Sequence, residues 1–287
     1  MTFYKSNIIV LLAFLVCPSG LLAAEGIYTV EAWTHKKLTQ AHEAIGAEDF
    51  KVAVALMEKT LQARRLNAHE RALVHQTLGY AFTGLDRMQD AAKSFEESLS
   101  DAALPKGQLA NVEFNLAQIY LADRNFERGI KLLRKWHDEA DNPSGEASFL
   151  LASAYVQTKA FSKAKFFALQ ATRNAGAKES WLRLAFLVHW ELREFEQGSV
   201  VLKRLIELSS KPLYWQQLIA VLVELQRFDE ALAAFELADR LYGTADENML
   251  LRYTSLCMRQ GLPYKGASRL EQALRDGAVE EKASTLR

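Results

Sequence analysis

The stretch that decides the fold runs from residue 78 to residue 95: Leu78-Gly79-Tyr80-Ala81-Phe82-Thr83-Gly84-Leu85-Asp86-Arg87-Met88-Gln89-Asp90-Ala91-Ala92-Lys93-Ser94-Phe95. Leu78, Gly79 and Phe82 recur at the three- and four-residue intervals of one helical face. A short turn follows, and Met88, Ala91 and Phe95 then mark the inner face of a second helix. Gly79 and Ala91 are small enough for two antiparallel helices to cross closely, and the large residues fill the space on either side.

The same register recurs on both sides of this stretch. The first repeat carries Ala41 and Ala44, then Phe50, Ala53 and Met57; the third carries Leu116, Ala117 and Tyr120, then Phe126, Gly129 and Leu133. Leu151, Ala152 and Tyr155 open the fourth, with Phe161 and Ala164 after them. The fifth reads Trp181, Leu184 and Ala185, then Phe195, Gly198 and Leu202, with one extra residue at the turn. The sixth reads Trp215, Leu218 and Leu222, then Phe228, Ala231 and Phe235; the seventh reads Leu251, Ser255 and Met258, then Tyr264 and Ala267. Ala53, Ala91, Gly129, Ala164, Gly198, Ala231 and Ala267 stand 38, 38, 35, 34, 33 and 36 positions apart. This pattern resembles the tetratricopeptide repeat, a unit of about 34 residues made of two antiparallel helices. The resemblance implies an all-α, right-handed superhelical solenoid of about seven helix pairs over residues 34–277. One helix pair cannot bury its own apolar face, so stability comes from nearest-neighbour stacking.

Around this array the sequence predicts three further segments: a signal peptide over 1–24, a lead-in over 25–33 and a frayed tail or incomplete cap over 278–287. Lys5 precedes an apolar run over residues 8–16, and Ala23-Ala24 offers a cleavage site before Glu25. As a helix that run would span about 14 Å, against a hydrocarbon core of about 30 Å. Cleavage near Ala24 and export to a periplasm is the reading taken; a retained N-terminal anchor is the alternative. Cleavage would leave Cys257 as the single thiol, which excludes an internal disulfide, and its apolar neighbours Leu256 and Met258 predict a buried packing role. The turns Asp141-Asn142-Pro143-Ser144-Gly145 and Ser209-Ser210-Lys211-Pro212 punctuate repeats rather than link domains.

Lys and Arg number 35, as do Asp and Glu, and this balance argues against a nucleic-acid partner. No catalytic residues are expected: the chain has no phosphate-cradling glycine loop and no Gly-x-Ser-x-Gly elbow. No metal and no cofactor are expected either, since none of the six histidines forms an i, i+4 pair. Binding has positive support. In arrays of this type the first helix of each pair lines a concave groove, and the groove positions include Tyr80, Phe114, Gln118, Phe149, Leu182, Phe186, Arg252 and Arg259, with Trp190 at the edge. Phe114, Phe149, Leu182 and Phe186 would form an apolar stripe for a protein partner. The alternative is that these side chains pack between repeats.

From about Leu109 to Gly277 the resemblance narrows. Asn115-Leu116-Ala117-Gln118-Ile119-Tyr120, Ala140-Asp141-Asn142-Pro143, Leu150-Leu151-Ala152-Ser153-Ala154-Tyr155, Glu179-Ser180-Trp181-Leu182, Tyr214-Trp215-Gln216-Gln217-Leu218 and Pro263-Tyr264-Lys265-Gly266-Ala267 occur in that order. Together they resemble the periplasmic tetratricopeptide proteins that accompany TonB–ExbB–ExbD energy-transduction systems. The resemblance implies a soluble or peripherally membrane-associated accessory of TonB-dependent uptake, with no catalytic residues. Such relatives carry a further helix pair beyond Gly277. An envelope-assembly scaffold is the alternative, and an enzyme or small-ligand receptor using the groove is a third reading.

Overall fold

In the computed structural model, the described residues are 28–63, 65–140, 142–173, 176–243 and 247–275. The expected signal peptide, the start of the lead-in, the last two positions of the array and the expected tail lie outside them. Every regular element among the described residues is an α-helix. Six helices belong to a compact unit ending at Pro143: α1 (Ala32–Gly46), α2 (Phe50–Ala63), α3 (Ala68–Gly84), α4 (Met88–Ser100), α5 (Lys106–Ala122) and α6 (Phe126–Glu139). Eight belong to a second unit that starts at Ser144. They are α7 (Gly145–Gln157), α8 (Phe161–Ala171), α9 (Glu179–Glu191), α10 (Phe195–Leu208), α11 (Pro212–Glu224), α12 (Phe228–Tyr242), α13 (Glu247–Arg259) and α14 (Pro263–Arg275). The fourteen helices pair in sequence as seven repeats, three in the N-terminal unit and four in the C-terminal unit. The Asp141 to Gly145 turn, expected only to punctuate repeats, is where the two units divide.

Each repeat turns from its first helix to its second through the same three-residue elbow. The middle residue lies in the left-handed region, with φ between 56° and 69° at Glu48, Asp86, Arg124, Lys159, Arg193, Gln226 and Gly261. The next residue donates its backbone N–H five positions back, to the carbonyls of Ala44, Phe82, Tyr120, Tyr155, His189, Leu222 and Cys257, at 2.8–2.9 Å. This is the Schellman closure, which satisfies a carbonyl that the helix end would otherwise orphan. Six of the seven left-handed residues are not glycine, although L-residues there cost roughly 1–2 kcal/mol relative to the right-handed helical region.

The shared elbow fixes the register of each repeat without reference to side chains, and it corrects two readings of the sequence. The fifth repeat has no extra residue at its turn, since its elbow matches the others. The irregularity lies in α9, where Phe186 occupies the position held by Gly79, Ala117 and Ala152 in other repeats, three residues before the elbow's acceptor. Gly198 faces it from α10, where an added methyl would meet the Phe186 ring at 3.7 Å. In the seventh repeat every expected core position is displaced by one. Leu251, Ser255, Met258 and Ala267 are exposed, and Tyr264 is 86% exposed. Leu250, Cys257 and Gly266, each one position earlier, are buried, together with Met249, Tyr253, Leu256 and Ala273. Pro263, not Tyr264, opens α14, as suits a proline at the first helical position.

Elsewhere the small crossing residues lie where the sequence puts them: Ala53, Ala91, Ala164 and Ala231 are fully buried, and Gly129 and Gly198 are buried. A side chain on Gly129 would come within 2.6 Å of Leu121 Cδ2 and 3.2 Å of the Ala117 carbonyl oxygen. Cys257 is buried as expected, and burial pushes its thiol up.

Polar joints one repeat apart reinforce the stacking. In the N-terminal unit the buried Glu70 accepts from the backbone N–H of Asn67 and of Glu31, each at 3.0 Å, and so ties the starts of α3 and α1. In the C-terminal unit Lys178 pairs with Glu146 at 2.7 Å, and Lys211 with Glu179 at 2.6 Å. Arg269 grips Asp239 through two hydrogen bonds of 2.8 and 2.9 Å.

Candidate protein-binding surface

The expected groove residues divide between the two units. In the N-terminal unit Tyr80 is half-buried, edge-on to Phe95 at 5.4 Å, and its hydroxyl accepts from Gln76 and Asn115 at 3.4 Å. Burial pushes its phenol up, against those two hydrogen bonds. Phe114 is half-buried against Trp136 of its own repeat, with ring centroids 4.9 Å apart, and Gln118 is half-buried beside it on α5.

In the C-terminal unit Phe149 is half-buried and stacks on Trp181 of the next repeat at 6.2 Å. Leu182 is 2% exposed and Phe186 8% exposed, so both belong to the core and offer no surface to a partner. The continuous apolar stripe expected from the sequence is therefore broken at its centre. The reason is the register of α9, which turns Phe186 toward Gly198. Trp190 is 38% exposed, and its ring leans on Phe186 at 6.1 Å and meets Phe195 edge-on at 5.4 Å. Arg252 and Arg259 are exposed on α13, and the Arg259 guanidinium lies over the Phe228 ring at 4.4 Å.

Trp190 sits on the wall of a depression of ≈ 280 Å³, together with Glu191, Arg193, Phe195 and Glu224. Its position follows from the elbow. Trp190 comes directly after His189, whose carbonyl closes the turn, while Arg193 is the left-handed residue and Phe195 opens α10. In the same turn, the buried His189 and the partly exposed Lys165 converge on Glu194, with Nδ1 to Oε2 at 2.8 Å and Nζ to Oε1 at 2.6 Å. Hydrogen bonding from Lys165 holds the Glu194 carboxyl below its usual range. This joint staples α8 to the elbow that follows Trp190.

The sequence reading missed the apolar residues on the second helices of the C-terminal unit. Phe166 on α8 is 60% exposed and Val200 on α10 is 59% exposed, and Leu169 and Leu237 are exposed as well. The signal was available: Phe166 and Val200 stand sixth in their helices, where α4 and α6 carry Lys93 and Lys131. Among the described residues no cluster of three or more His, Cys, Asp or Glu could hold a metal ion, and no helix is long and apolar enough to cross a membrane. His69 is engaged structurally, with Nδ1 2.7 Å from the Ala103 carbonyl oxygen.

No known family model matches the chain, and no curated protein matches it. Solved structures do. A tetratricopeptide repeat protein from Parabacteroides merdae ATCC 43184 is similar at 13% identity and a TM-score of 0.53, over 88% of this chain and 95% of that one. MamA from AMB-1 is similar at 17% identity and a TM-score of 0.52, over 62% of this chain and all of that one (100%). A further MamA structure gives 16% identity and a TM-score of 0.51, over 61% and 97% of the two chains. Together with the seven elbows and the helix pairs they close, these likenesses give the chain an all-α solenoid fold of the tetratricopeptide type.

Proposed function

We propose that this protein is a protein–protein interaction scaffold whose docking surface lies on the C-terminal unit. One observation carries the reading: of the large apolar side chains exposed among the described residues, two (Tyr28 and Val52) lie in the N-terminal unit and fourteen in the C-terminal unit. Helix-pair stacking needs apolar residues where helices cross, not on their outer faces, and exposed apolar surface beyond that need marks partner sites. A role in binding rather than catalysis fits this distribution.

The finer reading is an exported, periplasmic accessory of a TonB–ExbB–ExbD system, with peripheral association at the membrane. Its support is the signal-peptide-like layout of residues 1–24 and the ordered motifs between Leu109 and Gly277 that resemble such accessories. In-cell photo-crosslinking tests both levels, with the probe at Leu187 and Phe166 and at Lys93 and Lys131 as controls. The expected result is capture of TonB, ExbB or ExbD from the first pair and little from the second. Capture of an envelope-assembly protein instead would keep the scaffold and remove the transport reading. Equal capture from all four positions, or none, would remove the docking surface.

A further inference from the structure

We propose that the depression at Trp190 receives a basic side chain of the docked partner, arginine above all. The inference deepens the scaffold reading and rests on it. Three features of the site favour a cation. Glu191 and Glu224 both line it, and among the described residues neither is engaged in an ion pair or hydrogen bond, so both carboxylates are available to a guest. Each is also the last residue of its helix, α9 and α11, so the negative ends of two helix dipoles face this space against the single positive end of α10, which Phe195 opens. Finally, Trp190 and Phe195, set edge to face, supply aromatic surface on which a planar guanidinium can lie. The volume, ≈ 280 Å³, suits one side chain rather than a folded element.

Arg193 is the opposing charge. It lies on the same wall in the left-handed elbow, and it is not drawn into an ion pair there. A guest cation must therefore be held by the two carboxylates and the aromatic pair against this repulsion; a planar guanidinium, which can both stack on the rings and bond a carboxylate, meets that demand better than the compact ammonium of lysine.

The test uses the full-length protein and acetyl-Arg-Arg-Arg-amide as probe, with acetyl-Glu-Glu-Glu-amide as the comparison. Binding is read from the indole N–H resonance of Trp190 by NMR. The expected result is saturable binding of the arginine peptide and none of the glutamate peptide. The affinity should fall at least about fivefold in Glu191→Gln/Glu224→Gln, fall with added salt as exposed charge pairs do, and rise in Arg193→Ala. Both glutamates are exposed and the replacements are isosteric, so an unchanged melting temperature separates loss of binding from loss of fold. Arginine-peptide binding that is absent, or that survives the double substitution unchanged, overturns the proposal. So does binding of the glutamate peptide that is lost in Arg193→Ala. Crosslinking from Leu187, outside the depression, fails or succeeds independently of these titrations, so the docking surface and the cation site can fall separately.

Discussion

At the sixth residue of the second helix, the second and third repeats carry Lys93 and Lys131; the fourth and fifth carry Phe166 and Val200. All four are exposed, and all four follow the same elbow, the same left-handed residue and the same small crossing residue three places into the helix. Packing therefore makes the same demand in both units and leaves this position free. In the N-terminal unit Lys93 and Lys131 fill it with charge, as a face turned to water does, and the first repeat has the small Ala55 there. In the C-terminal unit Phe166 and Val200 hold it, with Ala233 and Ser268 in the two repeats after them; Phe166 meets Phe167 edge-on at 5.0 Å, yet it and Val200 keep more than half of their surface exposed, apolar area that a partner would cover.

This contrast can be broken or sharpened. The largest effect belongs to the feature the two units share. Ala91→Phe and Ala164→Phe should each cost about 3 kcal/mol, because overpacking a helix crossing is destabilising in either unit, and denaturant midpoints would show it. A much smaller loss at Ala164 would mean that the C-terminal unit is packed more loosely, and the exposed residues would then reflect poor packing rather than binding. Next comes the seventh repeat. A methyl on Gly266 would meet Cys257 Cβ at 3.1 Å and Thr254 Cα at 3.2 Å, so Gly266→Ala should destabilise by about 1 kcal/mol, while Ala267→Leu should change little. The reverse ranking would restore the register expected from the sequence.

Smaller still is the effect of making the outer faces alike. Phe166→Lys/Val200→Lys should move stability by no more than about 0.5 kcal/mol, as surface substitutions do, yet reduce crosslinked partner from Leu187. Unchanged capture would place the docking surface elsewhere on the C-terminal unit. The smallest effect is a matter of pH. Hydrogen bonds from Lys211, then from Tyr214, hold the Glu179 carboxyl below its usual 4.5. Its contribution is thus fully present above about pH 4.5 and fades as the pH falls through the folded value. Lys211→Met should flatten the acid limb of the stability curve by a few tenths of a kcal/mol, the scale of a largely exposed pair. Burial, then the hydrogen bond to Glu179, pushes the Tyr214 phenol up to about 12, so its contribution persists through pH 10 and is lost only beyond it.

How far the sequence could be read depended on how local the signal was. Small residues such as Ala53, Ala91, Ala164 and Ala231 sit at fixed offsets from aromatic or methionine neighbours, and the repeat is legible from them alone. Two repeats misled because a side chain imitated the pattern. Tyr264 looks like the aromatic that opens a second helix, and Pro263 holds that place. Phe186 looks like groove lining, and it fills a crossing position normally kept small. The surface was harder for another reason. Which residues of α9 reach water depends on helix rotation, and one position of error exchanges Phe186 for Leu187. The pocket at Trp190 was beyond the sequence altogether, since Glu191 and Glu224 are 33 positions apart and meet only when two helix ends converge. The same holds for Glu70, whose backbone partner at Glu31 lies 39 positions away.

The elbows have a bearing on how such a chain can change. Between the two helices of each repeat there are always three residues, whereas the connections from one repeat to the next hold between three and seven. The acceptor, the left-handed residue and the donor form one closed backbone ring, and a single inserted residue would open it. Length variation can therefore enter this molecule only through the connections between repeats or the outer ends of helices. A gene for this fold would tolerate added or lost residues on one edge of the array and reject them on the other, whatever the side chains involved.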